Sequence, residues 1–169
     1  MPRDALHERL IEAAAQLTDE QGKTLAESRH EFLRAIDTLR WHAESMDTFS
    51  NSLVDGSRSC VILPEPIGVV GAFTPWNYPA VIIARKLGAA LSAGCTVVLK
   101  GAEETPGAAV HMARAFDAAG LPEGAVNLAF GDPPAISSHV LASPDVRAFS
   151  FTGSTAVGKQ SGAGEACTL

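Results

Sequence analysis

The segment from Ile67 to Gly101, IGVVGAFTPWNYPAVIIARKLGAALSAGCTVVLKG, constrains this chain more than any other. Two short apolar runs, Gly68–Phe73 and Thr96–Leu99, flank a stretch of helix length. Pro79 suits the first position of that helix, where a missing N–H costs nothing, and Gly94 suits its C-terminal end. The outer runs are rich in Val and lack polar/apolar alternation, the pattern of strands buried on both faces of a parallel sheet. The unit therefore predicts strand–helix–strand with a right-handed crossover. Open sheets of this kind bind ligands beyond the carboxyl ends of their strands. Those ends read TPWN and LKGAEE here.

The same rhythm continues downstream. Thr105-Pro106 predicts an N-cap and first helical residue, and Gly120 then Pro122 end that helix. Ala125–Phe130 reads as a third buried strand, Gly131 as a tight turn, Pro133-Pro134 as the start of a short helix, and Ala148–Thr152 as a fourth strand. Upstream, Leu6, Leu10, Ile11 and Ala14 define one face of a helix over residues 4–16. Gly22 breaks the chain. A second helix is expected from Thr24 to about Leu53, with Leu25, Phe32, Ile36, Leu39, Met46, Phe49 and Leu53 as its stripe. At ~1.5 Å per residue it would span on the order of 40 Å. Asp55-Gly56 is a turn signal, and Ser59–Leu63 a peripheral strand. The class is α/β: a doubly wound parallel sheet preceded by two helices.

Bulk properties exclude several functions. A formal net charge of −6 gives no basic footprint for nucleic acid. The uncharged run 66–84 is interrupted by Pro66, Pro75, Asn77 and Pro79, so no membrane span is expected. Three cysteines without paired spacing, and no apolar leader, point to the cytoplasm. His7, His30, His42, His111 and His139 show no metal-ligand spacing.

Candidate chemistry sits at strand ends. In FTGSTAVGK (151–159), Gly153 and Ser154 open a helix where free N–H groups can receive a phosphate. A P-loop reading fails because Gln160 stands where Ser or Thr must ligate magnesium. A glycine turn that only permits close packing stays open as an alternative. Asn77 could cap the helix begun at Pro79, Trp76 could fill the core, and Lys100 and Glu103 could be solvated loop charges.

Together, EQGK (20–23), PIGVVGAFTPWNYP, AGCTVVLK, EETP, GLPEGAVNLAFGDP (120–133) and SFTGSTAVGK resemble the NAD(P)-dependent aldehyde dehydrogenase superfamily, in its order and spacing, from about Leu17 to Gln160. Among its branches the chain looks most like the succinate-semialdehyde dehydrogenases. The resemblance implies a Rossmann-like cofactor domain. It also implies a reaction in which a cysteine thiolate attacks the aldehyde, hydride passes to nicotinamide, and water releases the carboxylate. It assigns Asn77 to the oxyanion site and Lys100 and Glu103 to the adenosine ribose. Ser154, with Gly153, falls to the pyrophosphate, and Thr74, Trp76 and Gly131 to the cofactor crevice. A carboxylate at Glu103 opposes a 2′-phosphate, which favours NAD over NADP. Gly101-Ala102 departs from the family's usual proline followed by Ser or Ala, a change expected to loosen the ribose loop.

The family's base and nucleophile segments, Glu-Leu-Gly-Gly and Gly-Gln-x-Cys, do not occur here. Cys60, Cys95 and Cys167 lack an organised site and are not expected to replace the nucleophile. The expected organisation is N-terminal helices over 1–57, a strand and linker over 58–66, a partial NAD-binding domain over 67–160 and a divergent tail over 161–169, with the catalytic domain absent. The expectation is thus a chain of aldehyde dehydrogenase type that is inactive alone. The alternatives are a dinucleotide-binding module that pairs with itself or a full-length homologue, and a non-functional truncated product.

Overall fold

The computed structural model describes residues 2–46, 53–55, 60–62 and 64–159, with residues 2, 3, 53–55 and 60–62 described as backbone. The elements in chain order are α1 (Pro2–Glu8), α2 (Leu10–Gln21), α3 (Leu25–Glu44), β1 (Leu53–Asp55), β2 (Cys60–Ile62), β3 (Val69–Phe73), α4 (Pro79–Ser92), β4 (Thr96–Lys100), α5 (Pro106–Ala118), β5 (Val126–Ala129), α6 (Pro133–Ala142) and β6 (Val146–Phe151). Residues 155–159 are again helical. The tail over 161–169, with Cys167, lies outside the described residues, as do Phe49 and Gly56.

Strands β3 to β6 form a parallel sheet in the order β5-β4-β3-β6. The chain moves outward from β3 through β4 to β5, then returns to place β6 on the other side of β3. That reversal makes the C-terminal ends of β3 and β6 a topological switch point, where ligands bind in open α/β sheets. Helices cover both faces. Val70 and Ala72 share one hydrophobic cluster with Ala80, Leu87 and Met112 of α4 and α5. Gly71 points the opposite way, as strand geometry requires. A Cβ on it would lie 2.7 Å from Val140 Cγ1 of α6 and 3.5 Å from Phe149 and Val146. Gly71→Ala is therefore expected to wedge α6 off the sheet and cost ~1–3 kcal/mol, read as a lower urea midpoint.

The N-terminal helices are part of the same core. Leu6, Leu10, Leu17, Phe32 and Leu39 join the cluster, with α3 lying along α4 and α1 and α2 against α5. Here the structure corrects the sequence reading of the helices. The first expected helix is two, because the chain bends at Arg9. The inner stripe of α2 is then Leu10, Ala13, Ala14 and Leu17, which leaves Ile11 74% exposed. The long helix stops at Glu44, about 30 Å from its start at ~1.5 Å per residue. Leu53 instead begins a strand, held by antiparallel pairing with Ile62. Leu25 and Met46, expected in the stripe, are exposed. The buried face of α3 comprises Ser28, Glu31, Phe32, Ala35 and Leu39. Strand burial is also uneven. β3 and the middle of β4 are largely enclosed, whereas β5 and β6, the outer strands of this sheet, are only half-buried.

Candidate functional site

Three strand ends meet at one edge of the sheet, and backbone hydrogen bonds keep them level. The N–H of Thr74 donates to Lys100 O at 3.2 Å, and the N–H of Thr152 to Phe73 O at 3.1 Å. The loops that follow, 74–78 after β3, 101–105 after β4 and 152–154 after β6, therefore start from a common line. They enclose a cleft of about 210 Å³ whose lining includes Thr74, Trp76, Lys100, Glu103, Gly153 and Ser154. Six residues singled out from sequence thus converge on one cavity, although they span 80 positions of the chain. Ser137 of α6 also lines it. It escaped sequence reading because a serine on a short, weakly patterned helix carries no local signal.

Lys100 is buried and donates to Glu103 Oε2 at 2.5 Å. The other carboxylate oxygen of Glu103 accepts the N–H of Gly131 at 3.3 Å. Gly131 itself is not among the lining residues; it acts through Glu103, in a left-handed conformation (φ 138°) that favours glycine. Burial works to raise the Glu103 carboxyl, but the hydrogen bonds from Lys100, its own backbone and Gly131 outweigh it and hold the group below the usual carboxylate range. At Gly101 a Cβ would meet the Phe130 ring at 2.8 Å, so the close approach of that ring needs glycine.

Thr74 lines this cleft. It is buried, and its Oγ1 has no hydrogen-bond partner among the described residues. An orphaned buried hydroxyl is costly unless something fills the role. Ser154 accepts the N–H of Val157 at 3.3 Å on its Oγ, which caps the helical residues 155–159 and leaves its hydroxyl proton available. Gly153 is required by packing as well, since a Cβ there would meet the Phe151 ring at 2.5 Å.

Asn77 lies across Trp76 from this cleft. It lines a neighbouring groove with Tyr78, Lys23, His30, Glu31, Arg34 and Arg85, while Trp76 borders both spaces. Asn77 does not cap α4. Among the described residues its Oδ1 accepts only the N–H of Tyr78, at 3.1 Å, and the position before Pro79 makes no side-chain cap. The cap comes from α3. The buried Glu31 accepts the N–H groups of Ala80 at 2.8 Å and Val81 at 3.4 Å, and pairs with Lys23. Helix α5 is treated the same way. Thr105 holds the N-cap position predicted for it but makes no side-chain cap, and Glu20 accepts Gly107 N–H at 3.1 Å on each oxygen. Glu20 and Glu31 were missed because their partners lie 87 and 49 residues away.

Other groups stand apart. Cys95 is buried in the core cluster at the start of β4, the opposite edge of the sheet from Asn77. Cys60 is described only as backbone in β2. Among the described residues no three His, Cys, Asp or Glu side chains could hold a metal ion, and no helix is long and apolar enough to cross a membrane. Lys86 of α4 donates to Ser150 Oγ at 2.8 Å, and burial pushes its ammonium down to about 8. The folded chain therefore releases this proton before the unfolded chain does. Stability gained from this group should rise as pH climbs from about 8 towards 10.5, and be absent below 8. Urea titrations at pH 7.5 and 9.5 should show that rise in the parent and not in Lys86→Met.

The model of the aldehyde dehydrogenase family matches residues 2–167. A probable succinate-semialdehyde dehydrogenase (NADP(+)) of Sinorhizobium fredii is 45% identical over 150 residues, covering 86% of this chain and 30% of that protein. A 4-(hydroxymethyl)benzenesulfonate dehydrogenase of Comamonas testosteroni is 43% identical over 157 residues, 91% of this chain and 33% of its own length. The crystal structure of succinate-semialdehyde dehydrogenase from Burkholderia pseudomallei superposes with a TM-score of 0.93 at 43% identity, over 99% of this chain and 36% of that one. The chain thus spans about a third of the length of the curated relatives it matches.

Proposed function

The chain belongs to the aldehyde dehydrogenase family, and on that premise we propose that it forms the dinucleotide cradle and oxyanion donor of an NAD(P)-dependent aldehyde oxidation. The observation that carries this reading is the convergence of Thr74, Trp76, Lys100, Glu103, Gly153 and Ser154 on one cleft at the switch point. The residues suit a dinucleotide in their donor chemistry. Lys100 and Glu103 offer a charged donor and acceptor for ribose hydroxyls, Ser154 a hydroxyl at a helix start for phosphate, and Thr74 an unpartnered hydroxyl. The nicotinamide, when bound, supplies the hydride acceptor.

Asn77 takes the neighbouring groove, where no described residue accepts from its Nδ2 group. An amide donor aimed at the oxygen of an aldehyde under attack can be worth ~3 kcal/mol, because it is oriented before charge develops. The described residues bring no thiol there, since Cys95 lies at the far edge. In this reading the 169 residues alone do not turn over. NAD(P)H formation from succinate semialdehyde by the purified chain would contradict that.

The groove also bears on substrate. Lys23, Arg34 and Arg85 border it, against Glu27 and Glu31, and Glu31 is already paired with Lys23. That excess of positive groups beside Asn77 suits an aldehyde carrying a carboxylate, as succinate semialdehyde does. The pairing of Glu103 with Lys100 bears on the cofactor. Glu103 stays ionised at neutral pH, and a carboxylate beside the ribose opposes a 2′-phosphate. NAD is therefore the proposed cofactor, although the Sinorhizobium relative is named for NADP. Parallel calorimetric titrations with NAD and NADP test both points. Binding of neither dinucleotide would remove the cradle reading, and tighter binding of NADP would reverse the preference.

A further inference from the structure

We propose that the corner between α2 and α3, residues Glu20 to Lys23 acting with Glu31, is a positioning element that sets Asn77 in register with the Lys100–Glu103 pair. The proposal rests on the oxyanion reading of Asn77.

Its centre is Gln21. One side-chain amide, Nε2, donates to Trp76 O and to Asn77 O, both at 2.7 Å. Those two carbonyls belong to the peptide units before and after Asn77. Holding both planes fixes the backbone of Asn77 and therefore the direction of its Cα–Cβ bond. Only the side-chain rotations of Asn77 are then left to be set. Lys23 adds a second donor to Asn77 O at 3.2 Å and lies 4.6 Å from the centre of the Tyr78 ring. Glu31 anchors the next two free N–H groups, on Ala80 and Val81.

The adjacent residue ties down the other loop. Glu20 accepts Gly107 N–H, which fixes the start of α5 and so the end of the loop that follows Lys100 and carries Glu103. Both α4 and α5 open on a proline, which has no N–H, and neither has a side-chain cap of its own. The two crevice loops consequently share one anchor, four residues long with one partner, outside the sheet. A donor that must meet a developing charge needs placement within about 0.5 Å, which a free surface loop does not provide. A misplacement of about 1 Å can cost on the order of 100-fold in rate.

The test uses Trp76 as a reporter beside Asn77, in a Trp41→Phe background that leaves Trp76 as the sole tryptophan. Gln21→Glu keeps the size of the side chain and removes its donor. The expected result is a fall in Trp76 fluorescence anisotropy with a melting temperature within about 4 °C of the parent. Gln21→Lys, which restores a donor, should recover at least part of the loss. For turnover measured with the chain joined to the remaining two thirds of a full-length relative, Gln21→Glu should lower kcat about tenfold and leave the dinucleotide KM within about twofold. Parental anisotropy and parental kcat in Gln21→Glu would overturn the proposal. Asn77→Ala probes the underlying reading separately. Unchanged kcat in that variant removes the oxyanion role, whatever Gln21→Glu does to the loop.

Discussion

Glu31→Ala is expected to destabilise the protein by ~3–5 kcal/mol, the cost of breaking a buried ion pair by deleting one partner. The side chain of Glu31 is 3% exposed and that of Lys23 13%. Its removal strands the N–H groups of Ala80 and Val81 and takes the carboxylate from the Lys23 ammonium, which among the described residues keeps only its bond to Asn77 O and its place over the Tyr78 ring. The loss also takes a negative charge from the start of α4, where the helix dipole favours one. Glu31→Gln keeps the shape and an acceptor for Ala80, so it should cost distinctly less, about 1–2 kcal/mol. For a chain of this size, each kcal/mol shifts the melting temperature by roughly 2–4 °C. A drop of roughly 6–20 °C in the alanine variant, with a smaller drop in the glutamine variant, is the signature. Equal melting temperatures for parent and Glu31→Ala would mean that solvent, not Glu31, satisfies the helix.

Lys100→Met should weaken dinucleotide binding by roughly 10- to 100-fold, the loss of a charge-assisted hydrogen bond worth ~1.5–3 kcal/mol. Methionine nearly preserves the length of the buried stem, so packing beneath the loop changes little. The variant also leaves Glu103 with Gly131 as its remaining external donor. Without the neighbouring ammonium, the Glu103 carboxyl rises from its depressed range. In the parent, by contrast, the carboxylate persists into mild acid, so the preference for NAD over NADP should hold as pH falls from 7 to about 5. Glu103→Gln should narrow that preference by strengthening NADP relative to NAD. Titration of each variant with both dinucleotides, followed by quenching of Trp76, reads these effects. Parental affinity in Lys100→Met would show that the ribose is held elsewhere.

Much of this molecule was legible before any coordinates. Pro79 and Gly94 bracketed α4 correctly because a missing N–H and a left-handed φ act within one or two residues. The Val-rich runs marked β3 and β4 because both strands are buried. The family-type motifs pointed to six residues that do share a cavity. The end of α3 was misread because its apolar spacing persists to Leu53 while hairpin pairing claims that residue for a strand. The capping box formed by Thr24 and Glu27 was a readable local signal that went unused.

Local sequence, then, determined where α4 and α5 begin and end, which turns need glycine, and that β3 and β4 lie deep, since each depends on neighbours a few bonds away. Tertiary structure alone decided that β6 lies beside β3, which brings the Asn77 and Ser154 loops to adjacent strands at the same edge. It also decided that Glu20 and Glu31 cap helices far along the chain, and that Gln21 holds the peptides around Asn77. Such pairings connect residues 49 to 87 positions apart. Nothing in the local pattern of either partner encodes them, because a buried carboxylate and an uncapped helix start acquire meaning only when packing brings them together.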